Sequence, residues 1–181
     1  MDYTEKTIES KEIFKGRILH VLSDKILLPD GKESTREVVR HNGAVCVAPL
    51  TENNELLFVR QYRYPYKETL LELPAGRLES YGTPLENGIR ELKEETGTQG
   101  RDFTFLGKIY PSPGYTSEII YLYFCRISEY GEQQLDDGEF LDVERIPLEK
   151  AVEMALNNEF TDAKTLIGVL KTDALIKSDK I

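Results

Sequence analysis

The sequence predicts an α/β protein, in which a mixed sheet is covered by helices on both faces and preceded by a small antiparallel meander of strands. Two observations lead to this prediction. Short apolar runs of strand length recur from residue 44 to residue 146, and one strongly marked helix interrupts them near residues 83–97. Two more helical segments follow the last run. Strands and helices mixed in this way are typical of a three-layer α/β/α sandwich.

Length and composition are those of an ordinary globular protein. The chain has 181 residues, of which 40% are hydrophobic and 30% charged, so it can bury a substantial core. The formal net charge of −9 argues against a nucleic-acid partner, because binding a phosphate backbone requires a basic face. A small phosphorylated substrate is not excluded, since a bound cation can reverse the local charge. One domain plus an appendage is expected, divided into residues 1–42 and 43–181.

The two cysteines, Cys46 and Cys125, each lie inside an apolar run and are expected to be reduced core residues without a disulfide. His20 and His41 are too isolated to suggest a metal pair, so both are expected to be structural. The N-terminus has no apolar signal core, and no run approaches the roughly 20 apolar residues of a membrane span. A cytoplasmic protein without a membrane partner is therefore expected.

The N-terminal segment is predicted to form a three-stranded meander. Residues 1–10 are polar and are expected to be loosely held. The predicted strands are Lys11–His20, Val21–Leu28 and Arg36–Arg40, with a turn at Pro29-Asp30-Gly31. Three short strands bury little by themselves. We therefore expect this segment to pack on a second subunit and to make the protein a homodimer.

The main domain is predicted to contain six strands and three helices. The strands are Ala44–Leu50, Leu56–Tyr62, Leu70–Leu73, Phe103–Tyr110, Ile119–Ile127 and Phe140–Ile146. The run Ile119–Ile127 is almost unbroken in its apolar character, which places it at the centre of the sheet. The C-terminal helices are Leu148–Asn157, opened by Pro147, and Thr161–Leu175, capped by Thr161 or Asp162. The tail Lys177–Ile181 is expected to fray.

The clearest local signals mark the limits of the first helix. Thr83 is the expected N-cap, and Pro84 occupies the first helical position. Glu86 lies three residues after Thr83 and completes a capping box. Gly97 is expected to end the helix as its C′ residue.

This helix is unusually acidic. Glu91 and Glu95 are four residues apart and point the same way, with Glu94 beside them. Like charges at that spacing repel, so a positive partner is expected, and a hard divalent cation held by carboxylate oxygens is the simplest one. A solvated acidic helix face is the alternative. The residues expected to face the core are Leu85, Ile89, Leu92 and Thr96, which leaves the paired carboxylates on the opposite flank, toward a cleft.

The residues around this helix resemble the Nudix box, whose pattern is G, five residues, E, seven residues, R-E-apolar-x-E-E-x-G-apolar. The matching residues are Gly76, Arg90, Glu91, Leu92, Glu94, Glu95 and Gly97. Two positions depart from the pattern. Gly82 stands where the family has its first glutamate, which commonly supports the box arginine and can help to hold metal, and Thr98 replaces the last apolar residue. Glu79 lies close by, three residues away.

The resemblance implies the Nudix fold and hydrolysis of a nucleoside diphosphate linked to another group, with Mg²⁺, or alternatively Mn²⁺, as cofactor. It places metal on Glu91, Glu95 and the backbone carbonyl of Ala75, with Glu94 serving an additional ion. A sharp bend expected at residues 74–76 would expose that carbonyl, which is a hard metal ligand. Arg90 would hold the carboxylates in position; the alternative is an exposed helix ion pair of little energetic value.

A general base is also required, and a carboxylate on a mobile loop suits that role. In the ADP-ribose pyrophosphatase branch, which this chain resembles, the base comes from the loop before the last strand. Glu139 lies in that loop and is the candidate, with Asp136 and Asp137 as alternatives. A simply solvated loop acid is the other interpretation. The surrounding residues 129–139 are acidic and are expected to be flexible.

Further features resemble the same branch. Pro113 lies 15 residues beyond Thr98, in the sequence SPGYTSE. The sequences RQYR, ending at Arg63, and VVRH, which contains Arg40, precede the box. Both arginines are candidates for holding phosphate oxygens by forked hydrogen bonds, and a dimer could supply them from different subunits. Glu118 would accept hydrogen bonds from ribose hydroxyls, or is a surface acid. The aromatic wall for adenine stays open among Phe14, Tyr62, Tyr64 and Tyr66.

The sequence therefore predicts Mg²⁺-dependent hydrolysis of ADP-ribose to AMP and ribose 5-phosphate. Two alternatives remain open. The first is hydrolysis of another nucleoside diphosphate sugar. The second is a Nudix-fold module that binds a nucleotide metabolite without cutting it. Gly82 favours this module, whereas the three box glutamates and the candidate base argue against it.

Overall fold

The computed structural model describes residues 1–178 and divides into two compact units. The first unit contains Met1–Gly43 and Tyr110–Ile119, and the second contains Ala44–Ile109 and the described residues from Ile120 onward. Residues 110–119 thus group with the N-terminal segment, and the predicted division after residue 42 stays a prediction. No helix among residues 1–178 is long and apolar enough to cross a membrane.

The first unit is built on an antiparallel sheet of three strands: β1 (Lys6–Lys15), β2 (His20–Leu27) and β3 (Glu33–Arg40), in that order. The predicted meander is confirmed, but its first strand begins earlier than expected. Lys6 pairs with Leu27, so the expectation of a loosely held segment is wrong for residues 6–10. These residues show no strand period because β1 is exposed along its whole length. They are held by backbone pairing with β2 and by a hydrogen bond from the Ser10 hydroxyl to Asp24.

The strand β1 carries apolar side chains that the single chain leaves uncovered. Ile8, Ile13 and Phe14 are each more than half exposed. The buried apolar residues of this unit lie on the neighbouring strand β2, at Leu22 and Ile26. The edge strand therefore contributes part of the exposed apolar surface of the first unit, together with residues outside it such as Ile18 and Leu19.

The second unit contains a mixed sheet. Its strands are β4 (Ala44–Leu50), β5 (Glu55–Arg63), β6 (Glu68–Glu72), β7 (Ala75–Arg77), β8 (Thr98–Ile109), β9 (Ile120–Tyr130) and β10 (Leu141–Pro147). The order along the sheet is β10-β5-β4-β9-β8, while β6 pairs with β5 and β7 with β4. The pair β4–β9 is parallel and the other pairs are antiparallel. The apolar strand β9 lies inside the sheet, as its sequence predicts.

Helices cover both faces of this sheet. They are α1 (Pro84–Thr96), α2 (Leu148–Leu156) and α3 (Ala163–Lys177). Alternate residues of β4 show the two faces, because Cys46 packs with residues of α2 and α3, whereas Val47 packs with Leu92 of α1 and with Cys125. The α/β/α sandwich with a mixed sheet is thus confirmed. Both cysteines are buried and free, as predicted.

The structure corrects three local expectations. The expected bend is confined to Pro74, because Ala75 and Gly76 belong to strand β7, in which Ala75 pairs with Cys46. Strand β8 starts directly after α1, at Thr98, although its first residues are polar; Asp102, with φ of 56°, accompanies an irregularity in its pairing. Helix α3 continues through Lys177, so fraying does not begin there, and the rest of that prediction, residues 179–181, lies outside the described residues.

Candidate active site

The limits of helix α1 are those that the sequence predicts. The side chain of Thr83 accepts a hydrogen bond from the Glu86 amide at 3.2 Å, and the Glu86 carboxylate accepts one from the Thr83 amide at 2.6 Å. At the other end, Gly97 adopts the left-handed conformation, with φ of 67°, and its amide donates to the Lys93 carbonyl. Local capping chemistry alone therefore positions this helix along the chain.

The buried face of α1 differs from the predicted one. Ile89 is 43% exposed, whereas the buried residues of the helix are Asn87, Gly88, Leu92, Glu95 and Thr96. Gly88 explains why a different face of α1 is buried, because a Cβ atom added there would lie 3.0 Å from a Val45 methyl group. The absence of a side chain lets the helix approach β4 along this face. Glu95 is consequently turned toward the sheet and is only 5% exposed.

Glu95 is held against the start of strand β7. Its Oε2 atom accepts a hydrogen bond from the Ala75 amide at 2.9 Å. Burial raises the pKa of Glu95 to about 8, although the Ala75 hydrogen bond opposes the shift, and the charges of Glu91 and Glu139 raise it further. The charge of Arg63 lowers the pKa of Glu95 and offsets only part of this effect.

Glu91 fills the space that Gly76 leaves open. A Cβ atom on Gly76 would lie 1.9 Å from the Glu91 carboxylate carbon, so only glycine fits beside this side chain. Arg90 donates to Glu91 at 2.5 Å and also forms an ion pair with Glu94, so it bridges the two acids. Burial raises the pKa of Glu91, and the Arg90 charge offsets only part of this effect.

The donor set fits a hard divalent cation, since carboxylate and backbone oxygens are the ligands that such ions prefer. As they stand, no three acidic, histidine or cysteine side chains within residues 1–178 converge closely enough to ligate one ion. Two of the acids are turned toward Arg90 and one toward the Ala75 amide. Burial raises the pKa of Glu91 and Glu95, and a cation bound beside them would favour their ionised forms.

The loop that carries Glu139 is tied to the end of α1. The Gly131 amide donates to the Gly97 carbonyl at 2.7 Å, and the Gln134 amide donates to the Glu94 carbonyl at 2.8 Å. The Gln133 side chain adds a hydrogen bond to the Glu95 carbonyl at 2.6 Å. The negative charge of Glu139 raises the pKa of both Glu91 and Glu95, so its carboxylate interacts with the box acids. This loop is therefore anchored to the acidic helix at its start.

Arg63, at the end of β5, is paired with the carboxylate of Glu72. Its Nε and Nη2 atoms donate to the two carboxylate oxygens of Glu72 at 2.6 and 2.7 Å. Glu72 is 2% exposed and also forms an ion pair with Lys164. Glu72, Lys164 and Gln133 were not predicted from the sequence. The only signal for Glu72 was an acid between leucines in a short strand, and none marked the other two.

The remaining predicted substrate residues, Arg40, Pro113 and Glu118, belong to the first unit. Backbone hydrogen bonds from β3 to the segment 110–119 join them: the Val39 amide donates to Tyr115, and the Ser117 amide donates back to Val39. His41 is structural, because its Nδ1 atom accepts the Gly43 amide at 3.0 Å. Glu118 lies 3.6 Å from the same nitrogen, beyond hydrogen-bond distance.

The loop at Gly82 is shaped for glycine. Its φ of 78° lies in the left-handed region, and a Cβ atom would meet the Glu86 carboxylate at 3.3 Å. The buried Asn87 side chain organises this loop by accepting the Glu79 amide and donating to the carbonyls of Tyr81 and Thr83. Glu79 thus has its backbone fixed by Asn87. The aromatic candidates Phe14, Tyr62, Tyr64 and Tyr66 are all more than half exposed, which does not distinguish among them.

The sandwich and its acidic helix, packed against a glycine and followed by an acid-bearing loop, define an enzyme of the Nudix hydrolase class. A family model described as "NUDIX domain" matches residues 39–167, and one described as "Nucleoside diphosphate sugar hydrolase N-terminal domain" matches residues 5–39. The chain belongs to the Nudix family.

Similar proteins span nearly the whole chain. It is 38% identical to the "Methanol dehydrogenase activator" of Bacillus methanolicus (92% of this chain, 91% of the relative) and 36% identical to the "ADP-ribose pyrophosphatase" of Bacillus subtilis (91% and 90%). A more distant relative, at 29% identity, is the "GDP-mannose pyrophosphatase" of an Enterobacter species (82% and 92%). A crystal structure of an "ADP compounds hydrolase" has the same fold, with a TM-score of 0.85 at 22% identity (98% and 97%).

Proposed function

We propose that this protein hydrolyses the pyrophosphate bond of ADP-ribose and releases AMP and ribose 5-phosphate, with Mg²⁺, or alternatively Mn²⁺, as cofactor. Nudix hydrolases generally use a divalent metal. The observation that carries the proposal is the buried pair Glu91 and Glu95, which are packed against Gly76 and Ala75 and whose pKa values are raised by burial. The Bacillus subtilis relative, similar over 91% of this chain, supports the choice of substrate.

The metal would be held by Glu91, Glu95 and the Ala75 carbonyl, with Glu94 serving an additional ion. When bound, Mg²⁺ neutralises the phosphate oxygens and lowers the pKa of a coordinated water. Arg90 restricts the side chains of Glu91 and Glu94 to their positions, because it forms ion pairs with both. The site is thus held in shape before substrate arrives.

Glu139 acts as the general base in this proposal. It takes a proton from the attacking water, the new P–O bond forms, and the bridging phosphoanhydride bond breaks to release the two monophosphates. Asp136 and Asp137 lie in the same loop and remain alternatives. The charge of Glu139 raises the pKa of both Glu91 and Glu95, and this interaction with the box acids supports Glu139.

Substrate contacts are assigned to Arg63 and Arg40 for the phosphates and to Glu118 for ribose hydroxyls, in a loop that Pro113 stiffens. A homodimer formed through the first unit would cover the exposed apolar side chains of β1. We expect the enzyme in the cytoplasm, where Cys46 and Cys125 would stay reduced. Sedimentation at micromolar concentration tests the dimer, and a monomer there would refute it.

Two other functions compete with this proposal. The family model over residues 5–39 and the Enterobacter relative favour a different nucleoside diphosphate sugar. Gly82, in place of the family's first box glutamate, favours a module that binds without cutting. Both alternatives leave the proposed metal ligands on the acidic helix unchanged.

Product analysis tests all three. The protein is incubated with Mg²⁺ and either ADP-ribose or a panel of nucleotide sugars that includes GDP-mannose. AMP appearing fastest from ADP-ribose supports the proposal, and faster release from another sugar moves the function to that substrate. Retained binding without cleavage of any compound would identify a non-catalytic module. The Glu95→Gln variant serves as the control for contaminating activity.

A further inference from the structure

A buried network of charges lies behind the candidate site. Its centre is Glu72, the last residue of β6, which is 2% exposed. Arg63 donates to both of its oxygens, and Lys164 contacts the second oxygen as well. Lys164 in turn contacts Asp162 at 2.9 Å. Burying a carboxylate is costly unless it is paired, and here two cations pair with it.

The network fixes Glu72 to the N-terminus of α3. Asp162 caps that helix by accepting the Thr165 amide at 3.0 Å. The Thr165 hydroxyl, which also donates to Asp162, accepts the Leu73 amide at 2.8 Å. The residue after Glu72 is therefore bound to the same helix end as Lys164. Glu72 has one orientation, because both its carboxylate and its chain neighbour are held.

Arg63 is the only member of this network that the proposed function also uses. Glu72 takes the Nε–Nη2 edge of its guanidinium group. No hydrogen bond to Nη1 is present within the described part of the chain, so the outer edge of the planar fork remains available. The charges of Arg63 and Glu95 affect each other's pKa, which indicates that the guanidinium lies near the box acids.

We propose that Glu72 and Lys164 are positioning residues, which hold Arg63 so that its outer guanidinium edge meets the phosphate of the substrate. Because the guanidinium is planar, fixing one edge fixes the direction of the other. Lys164 holds Glu72 in the orientation that this requires. The inference rests on the proposed function for the identity of the ligand, but not for its cleavage.

The ion pairs persist across the working pH range. Burial by itself would raise the pKa of Glu72, but the hydrogen bonds from Arg63 and the charge of Lys164 outweigh it and lower the pKa to about 2. The neighbouring carboxylates likewise raise the pKa of Lys164 against the effect of burial. Arg63 therefore has an ionised partner whenever substrate binds.

The test is the dissociation constant of ADP-ribose, measured by calorimetry in EDTA so that effects on a metal site do not enter. We expect Glu72→Gln to weaken binding by about tenfold or more, which is the value of a charged hydrogen bond. Arg63→Ala should do the same. The double variant should bind no more than about twofold weaker than Arg63→Ala alone, because both changes remove one contact.

A matched control is available on the same strand. Arg60 forms a two-pronged ion pair with Glu144, but there the carboxylate is partly exposed. Glu144→Gln should leave the dissociation constant within about twofold of the wild type. If Glu144→Gln binds normally, the weaker binding of Glu72→Gln comes from the pair that orients Arg63 and not from the loss of an arginine–glutamate pair in general.

A second variant keeps the test decisive if Glu72→Gln unfolds. Glu72→Gln/Lys164→Met removes both charges of the inner pair, so it should recover thermal stability. The positioning role predicts that it still binds ADP-ribose weakly. A purely structural role predicts that affinity for ADP-ribose returns with stability, and this result would overturn the inference. The inference would also be overturned if the losses of affinity caused by Arg63→Ala and Glu72→Gln multiply in the double variant. Wild type that binds ADP-ribose in EDTA but does not cleave it with Mg²⁺ would refute the proposed function alone. Wild type that neither binds ADP-ribose in EDTA nor cleaves it with Mg²⁺ would refute both.

Discussion

Replacing Gly76 with alanine tests the metal-facing geometry most directly. The nearest atom of Glu91 would lie 1.9 Å from the added carbon, and ordinary contact begins at about 3.4 Å. The carboxylate must therefore retreat by about 1.5 Å, the difference between these distances. The side chain of Glu91 is 14% exposed and can rotate toward solvent, so the fold should survive.

The expected effect is on turnover. A displacement of about 1 Å in a reacting group can cost about 10²-fold in rate, so kcat should fall by about 10² or more. The Mg²⁺ concentration for half-maximal activity should rise, because one proposed ligand is displaced. The assay is AMP release from ADP-ribose over a Mg²⁺ titration, with the thermal midpoint measured in parallel.

Gly114→Ala is the matched control, since a Cβ atom there meets nothing within 4 Å. It should keep the wild-type rate. A folded Gly76→Ala protein with wild-type kcat and unchanged Mg²⁺ dependence would refute the claim that Glu91 acts from the position described.

Three further predictions follow from the same residues. Glu95→Gln should abolish turnover and leave the protein folded, as judged by circular dichroism; an active variant would contradict the metal assignment. Glu139→Gln should lower kcat by about 10² or more with little change in fold, and an unaltered rate would transfer the role of general base to another residue. The folded pKa of Glu72 is about 2 against an ordinary 4.5, so its contribution of roughly 3 kcal/mol should be present above pH 4.5 and lost as pH falls toward 2. Denaturant titrations across this range should show a steeper loss for wild type than for Glu72→Gln.

Sequence was a reliable guide where the determining contacts are local. The N-cap, the proline at the first position and the C-terminal glycine fixed the ends of α1, because each acts within a few residues. The buried face of that helix was not predictable in the same way. It depends on Gly88 meeting Val45 across the interior, and a glycine at that position carries no hydrophobic signal.

The same distinction divides the site. The box residues Glu91, Glu94 and Glu95 stand at fixed spacing on one helix and were visible in the sequence. The pairing of Glu72 with Lys164 joins residues 92 positions apart, so neither residue alone suggests its partner. Likewise, residues 6–10 form a strand by pairing with β2, which their own sequence does not indicate.

Strand β7 has a consequence for local motion. It pairs with β4, which also pairs in parallel with β9 over seven residues and lies within the buried sheet. Protein segments that open by local fluctuation are generally those with few buried contacts. Ala75 and Gly76 are themselves only partly buried, but their backbone pairs with β4, which is buried along its whole length. This side of the site is thus held by the sheet, and adjustment to different substrates falls to the loop that carries Glu139.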